Sequence, residues 1–249
     1  LPILIDHQFI LRSPNLIKNI VFDVDDTLYE MDQPFFTAIT QLFPEFPIEK
    51  LSNAYIRFRY YSDLTFPKVV TKEWTWDYMR FYRLNETLKD YGHLAIDEST
   101  AMDFQKIYEQ AMEDITLHPA ITQILKYLTH EKYELGIITN GPTAHQLKKI
   151  KNLSVGQWVK NRIVVSQEAG FSKPEVAIFK IAEKRFNFQP EETLYIGDNY
   201  DNDIVGANDA GWQSIWLNHR HRKLPSEIVP RYSYATESFD KLLPILKQI

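Results

Sequence analysis

Residues 20–29 read IVFDVDDTLY, an apolar run that meets two aspartates, Asp23 and Asp25, and then Thr27. A short apolar run bounded by polar residues, here Ile20 to Val24, predicts a strand buried on both faces. In an extended segment residues i and i+2 point the same way, so the two carboxylates can converge where the strand runs out. Open parallel sheets bind their ligands just beyond such carboxyl ends. Two aspartates can divide labour there, one ionised and attacking while the other, protonated, donates to a leaving group. An acidic turn capping the next helix would use the same residues, so the choice rests on the remainder of the chain.

Further apolar runs follow at Leu135 to Ile138, Ile163 to Val165, Leu194 to Ile196 and Ser214 to Leu217. Helical patterns lie between them: Ala120 to Leu128, Thr143 to Ile150, Glu175 to Phe186 and Asp203 to Asp209. This alternation predicts an α/β fold with a parallel sheet covered by helices. YSYA near the end reads as an edge strand, and Phe239 to Leu246 as a closing helix. From Met31 to Asp114 the alternation stops. Apolar and aromatic residues there recur at helical spacing in FFTAITQLF, LSNAYIRFRYY, WTWDYMRFYRL and AMDFQKIYEQAM. Pro34, Pro44, Pro47 and Pro67 are expected at helix starts or in loops, because proline is tolerated in a first turn and not in a helix interior. The expected organisation is a discontinuous core, residues 1–30 and 115–249, with an all-helical insert at 31–114.

Each later strand also ends in chemistry-bearing residues. LGIITNG places Thr139 and Asn140 where a helix begins, so that a hydroxyl, an amide and backbone N–H groups could hold phosphate oxygens. A turn with an N-cap would look the same. In GFSKPEVAIF, Lys173 precedes a proline at a helix entry, where an ammonium would keep Asp23 ionised as an anion approaches, although most lysines are solvated surface charges. LYIGD runs into NYDNDIVGANDAG, gathering Asp198, Asn199, Asp201, Asn202 and Asp203. Such a cluster needs a cation or a neighbouring positive side chain to offset its repulsion. Magnesium takes one or two carboxylates plus water and a phosphate oxygen, and Asp198 is the natural second carboxylate to accompany Asp23. The spacing is not that of an EF-hand loop. The four signals fall at the ends of strands that a parallel sheet brings to one rim, and the conjunction is what makes them specific.

Composition bounds the alternatives. The 249 residues are 44% hydrophobic and 24% charged, which favours a folded core over disorder. Lys and Arg number 28 against 33 Asp and Glu, so there is no basic field to attract nucleic acid or anionic lipid. The absence of cysteine excludes disulfides, thiolate metal sites and a cysteine nucleophile. No segment approaches the roughly 20 apolar residues of a membrane span, and the opening LPILIDHQFILRSPNLIKN lacks the pattern of a secretory leader. A cytoplasmic enzyme is expected, and no function is assigned to residues 1–18.

DVDDT, the Thr139 loop, Lys173 and GDNYDND resemble, in order and spacing, the four motifs of the haloacid dehalogenase (HAD) superfamily, over the chain apart from residues 1–18. The resemblance implies a Rossmann-like core with a helical cap inserted after the first motif. It also implies roles: Asp23 forms an aspartyl-phosphate, while Asp25 protonates the leaving alcohol and later activates water. Thr139 and Lys173 hold the phosphoryl group, with Asn140 beside them. Mg2+ is held by Asp23, the backbone carbonyl of Asp25, and Asp198, with Thr27, Asn199 and Asp203 supporting. The implied activity is phosphatase action on a small phosphorylated metabolite by a monomer or homodimer, with no nucleic acid polymer or membrane as partner.

Within the superfamily, Asp25 speaks against dehalogenation, since a halide leaves without a proton. Phosphonate hydrolysis would need a cap lysine, and none of Lys50, Lys68 or Lys72 is marked out. A sugar-phosphate mutase or sugar phosphatase shares the core motifs. DVDDTLY together with GANDAGWQSIWLN most resembles nucleotidases acting on pyrimidine nucleoside monophosphates. A non-catalytic binding module on the same fold would have lost Asp23, Asp25, Lys173 or Asp198, and all four are present. In the cap, Trp74, Trp76, Tyr78, Phe81 and Tyr82 could stack on a base or simply pack the helices. Arg57, Arg59 and Arg80 could touch substrate or remain solvated. His118, His145, His219 and His221 show no metal-binding spacing, and HRHRK at 219–223 reads as an exposed basic turn.

Overall fold

The computed structural model describes residues 17–249, and the segment before Ile17, to which the sequence assigns no function, lies outside the described residues. Six strands form one sheet: β1 (Asn19–Phe22), β2 (Glu134–Thr139), β3 (Ile163–Val165), β4 (Thr193–Gly197), β5 (Gln213–Leu217) and β6 (Tyr234–Thr236). Their order is β3-β2-β1-β4-β5-β6 and every pairing is parallel. The chain builds outward from β1 through β2 to β3, then crosses to β4 on the other side. That crossing makes the gap between β1 and β4 the topological switch point, the place where such sheets open a crevice for ligands.

Between β1 and β2 come α1 (Gln33–Leu42), α2 (Leu51–Val70), α3 (Trp76–Asp90), α4 (Glu98–Glu113) and α5 (Pro119–His130), and α6 (Thr143–Asn152) follows β2. By its contacts the described chain separates into two compact units, one comprising residues 17–28 with Leu117–Ile150 and Ser154–Ile249, the other Tyr29–Thr116 with Lys151–Leu153. In the sheet unit, α5 starts at a His118 cap with Pro119 in its first turn, and buries Ala120, Ile121, Ile124, Leu125 and Leu128. Its core joins Val21, Ile138, Val164, Phe179, Tyr195 and Trp212. Gly136 of β2 lies so near Phe186 that a Cβ would stand 2.8 Å from the ring.

The regular elements of the second unit are helices. Phe35 of α1 anchors its core, with ring centroids 4.9 Å from Phe58 and 5.9 Å from Phe104. Trp74 lies 4.7 Å from Tyr78 and 5.0 Å from Tyr82, and Tyr78 lies 6.0 Å from Phe81, so these aromatics pack on one another. Trp76 packs on Phe66 but stays half exposed. Arg57, Arg59 and Arg80 are paired with Asp90, Asp63, and both Asp77 and Glu109.

Five elements differ from the sequence expectation. β1 ends at Phe22 rather than Val24, because the Asp23 N–H makes a last bond to Ile196 O at 2.9 Å and the chain then turns, with Asp26 at φ 56°. The helix expected at Asp203 to Asp209 begins as a wide π turn over Tyr200–Val205 before the α turn Gly206–Asp209; such turns recur at functional sites. Pro67 sits inside the last turn of α2, where the carbonyl it deprives of a partner belongs to exposed Asp63 and can turn to water. The closing helix starts as a 3-10 turn at Phe239–Lys241, and the edge strand falls two residues later than YSYA begins.

Candidate active site

Asp23 lies one residue past β1 and is 6% exposed. Its Oδ1 accepts a hydrogen bond from Lys173 Nζ at 2.6 Å. The same ammonium donates to Asp203 Oδ1 at 2.6 Å and to the Tyr195 hydroxyl at 2.8 Å, so its three N–H bonds each have an acceptor. Tyr195 in turn donates to Ile138 O at 2.8 Å, anchoring the cluster to β2. Asp203 is held from its other side by the Asn199 N–H, which donates to Oδ2 at 2.9 Å. The π turn places it there, and Gly197 makes room, since a Cβ at 197 would overlap the Asp203 carboxylate.

Asp198, at the end of β4, completes a buried acidic group. One carboxylate oxygen from each of Asp23, Asp198 and Asp203 lies within 4.8 Å of the others. Burial is the first cause that pushes Asp23 up to about 7, opposed by Lys173 and aided by Asp203 and Asp25. Burial likewise holds Asp198 well above the usual carboxylate range, with Asp203 adding to the effect and Arg222 opposing it. For Lys173 burial opposes the charge, but Asp203 and Asp23 outweigh it and hold the ammonium well above its ordinary value. Three converging hard oxygen donors, two of them, Asp23 and Asp198, with their ionisation disfavoured by burial, fit a magnesium-sized ion.

Asn140 spends its side chain on the backbone of Lys173: its Nδ2 donates to Lys173 O, and its Oδ1 accepts from Lys173 N, both at 2.9 Å. It therefore ties the Thr139 loop to the lysine. Thr139 is buried, and its hydroxyl oxygen accepts from Gln146 Nε2 at 3.0 Å, which leaves the hydroxyl proton free to be donated. Asp25 departs from the Asp23 cluster. Its two oxygens accept from Lys149 Nζ at 2.7 and 2.8 Å, and Oδ2 also from Gln146 at 3.0 Å. Thr27 is fully buried, and its hydroxyl has no hydrogen-bond partner among the described residues. Asn199 caps the π turn by accepting from Asn202 N.

The basic turn at 219–223 is not simply exposed, as the sequence suggested. Arg220 Nη2 donates to Asp26 Oδ1 at 2.7 Å, His219 Nε2 lies 2.9 Å from Asp26 O, and Arg222 pairs with Asp198 Oδ2 at 3.0 Å. Asn218 braces Arg222 through both of its backbone polar groups. The roles of Tyr195, Gln146 and Lys149 and the carboxylate pairing of this turn are not legible in the sequence. Each acts on a partner remote in the chain, and no local pattern marks it.

The sequence model of the haloacid dehalogenase-like hydrolase family matches residues 20–217. Glyceraldehyde 3-phosphate phosphatase from Methanothermobacter thermautotrophicus is 29% identical over 214 residues, 82% of this chain and 86% of that protein. The pyrimidine 5'-nucleotidase PynA from Streptococcus pneumoniae is 28% identical over 236 residues, 92% of this chain and 94% of that protein. The magnesium-bound crystal structure of the HAD-hydrolase YfnB from Bacillus subtilis matches with a TM-score of 0.65 at 25% identity, covering 93% of this chain and 99% of that one.

Proposed function

This chain belongs to the haloacid dehalogenase-like hydrolases, and from that premise we propose that it is a magnesium-dependent phosphatase of small phosphomonoesters with Asp23 as nucleophile. The observation that carries the reading is the Lys173 ammonium 2.6 Å from both Asp23 and Asp203, with the Asp198 carboxylate beside them. Burial alone would protonate Asp23, and Lys173 favours the ionised form that can attack phosphorus. Asp23 Oδ forms a bond to phosphorus as the ester P–O bond breaks. The departing oxygen takes a proton from Asp25, whose carboxylate then accepts a proton from the water that hydrolyses the aspartyl-phosphate.

Thr139 donates its hydroxyl proton to a phosphoryl oxygen, and Asn140 holds its loop against Lys173. Mg2+ would be held by Asp23, Asp198 and the main-chain carbonyl of Asp25, with Asp203 and Asn199 around it. When bound, it supplies charge neutralisation at the transferring phosphoryl group. Residues 1–30 and 115–249 would form the catalytic core and residues 31–114 the cap. Nucleoside 5'-monophosphates are the substrate class to test first, as the relative named pyrimidine 5'-nucleotidase supports. Small sugar phosphates are the second reading, favoured by relatives named glyceraldehyde 3-phosphate phosphatase. Purified protein with magnesium should release phosphate from dUMP, UMP or dTMP. Turnover confined to sugar phosphates would select the second reading, and no magnesium-dependent release from either class would refute the phosphatase.

A further inference from the structure

The mechanism asks Asp25 to present its carboxyl group to the leaving oxygen and then to water, so the groups that orient that carboxyl bear on the reaction. Two such groups come from α6, where Gln146 and Lys149 are one turn apart and so share a helix face. Lys149 Nζ reaches Oδ1 at 2.7 Å and Oδ2 at 2.8 Å, and Gln146 Nε2 reaches Oδ2 at 3.0 Å. Gln146 is itself fixed. It is 3% exposed, its Nε2 also lies 3.0 Å from Thr139 Oγ1 and 2.6 Å from Asn140 O, and it packs where Gly141 lacks a side chain, 3.0 Å from the position a Cβ would take.

From this geometry we propose that Lys149 and Gln146 are positioning residues that fix the carboxyl plane of Asp25 relative to the phosphate-holding Thr139. The proposal rests on the acid–base role given to Asp25 above. Lys149 contacts both carboxylate oxygens, so it sets the tilt of the plane. Gln146 contacts one oxygen of Asp25 together with the Thr139 hydroxyl, so it sets the distance between the two groups. A bare surface ion pair would not need the second donor, and the Asp25 and Lys149 side chains are only 24% and 17% exposed. Orientation matters most where the leaving oxygen is basic and needs a proton, and hardly at all where it leaves readily as an anion.

The test compares leaving groups in single-turnover release with magnesium present, using 4-nitrophenyl phosphate and an alkyl phosphate, on Lys149→Met, Lys149→Arg and Asp25→Asn. Lys149→Met should slow alkyl alcohol release by about 10- to 100-fold and 4-nitrophenol release by less than about 3-fold, with Lys149→Arg recovering most of the loss. Equal losses for both leaving groups, no loss for either, or no rescue by arginine would overturn the positioning role. Asp25→Asn separates the two levels. If it shows the alkyl-selective loss and Lys149→Met does not, the acid–base reading stands and the Lys149 proposal fails. If Asp25→Asn is not selective, the acid–base reading fails and carries the proposal down with it. Gln146→Leu, expected to be alkyl-selective in the same sense, supplies an independent variant should Lys149→Met prove poorly folded.

Discussion

Replacing Lys173 by Met should remove the one ammonium that Asp23 and Asp203 share. The wild-type ammonium serves Asp23 and Asp203 at 2.6 Å each and is 5% exposed, so water cannot take its place without local opening. Removing one partner of a buried ion pair costs about 3–5 kcal/mol, because the other charge is left uncompensated. Two carboxylates within 4.8 Å of each other repel by about 3–4 kcal/mol at an effective dielectric of about 20, which is the same range reached from Coulomb's law. The cluster can escape by binding protons. Asp23 already titrates at about 7, above its ordinary 3.8, and losing Lys173 raises it further. A carboxylate raised in the folded state binds protons on folding, so its stability contribution falls as pH rises from the unfolded value through the folded one. The variant's deficit should therefore be larger at pH 8 than at pH 5.5. Urea denaturation in EDTA should give a loss of about 3–5 kcal/mol at pH 8, recovering by about 1–2 kcal/mol at pH 5.5. A loss below about 1 kcal/mol at pH 8, or a larger loss at the lower pH, would refute the reasoning.

Three further outcomes follow from the same geometry. Near pH 6.5 magnesium binding should release protons, because Asp23 and Asp198 are both raised and a cation needs them ionised; calorimetry in buffers of different ionisation heat should show this release shrinking above pH 8, and proton uptake would contradict it. Gly197→Ala should force the Asp203 carboxylate away from Lys173, costing about 1–3 kcal/mol in urea melts together with most of the phosphate release, whereas unchanged stability would mean the pocket yields easily. Tyr195→Phe leaves the Ile138 carbonyl and one N–H bond of Lys173 without their partner, so a loss of about 1–3 kcal/mol is expected in the same assay, and a neutral result would show the hydroxyl to be dispensable.

The parts of the site that could be read from the chain are those attached to strand ends. Asp23, Thr139 and Asp198 follow short runs of Ile, Val and Leu, and a parallel sheet necessarily brings such ends to one rim. Lys173 was recognisable by its place before a proline at a helix entry. What the sequence does not display depends on long-range pairing. Lys149 looks like any other lysine of a polar helix, and its partner Asp25 lies 124 residues earlier. Tyr195 sits in an apolar strand and reads as core packing, and only its hydroxyl contact with Lys173 gives it a further role. Arg220 and Arg222 belong to a run whose charge suggested solvent, yet their carboxylate partners are Asp26 and Asp198. The sequence predicts a helix starting later than the π turn at Tyr200–Val205, because hydrogen-bond width leaves no trace in apolar periodicity.

The most direct test is to mix the enzyme with its best phosphomonoester and magnesium, quench in acid within a single turnover, and locate any bound phosphoryl group by peptide mass after digestion. A single phosphoryl group on the peptide containing Asp23, absent when EDTA replaces magnesium, is the predicted result. Turnover with no covalent phosphoryl group, or with one carried by a different residue, would contradict the account.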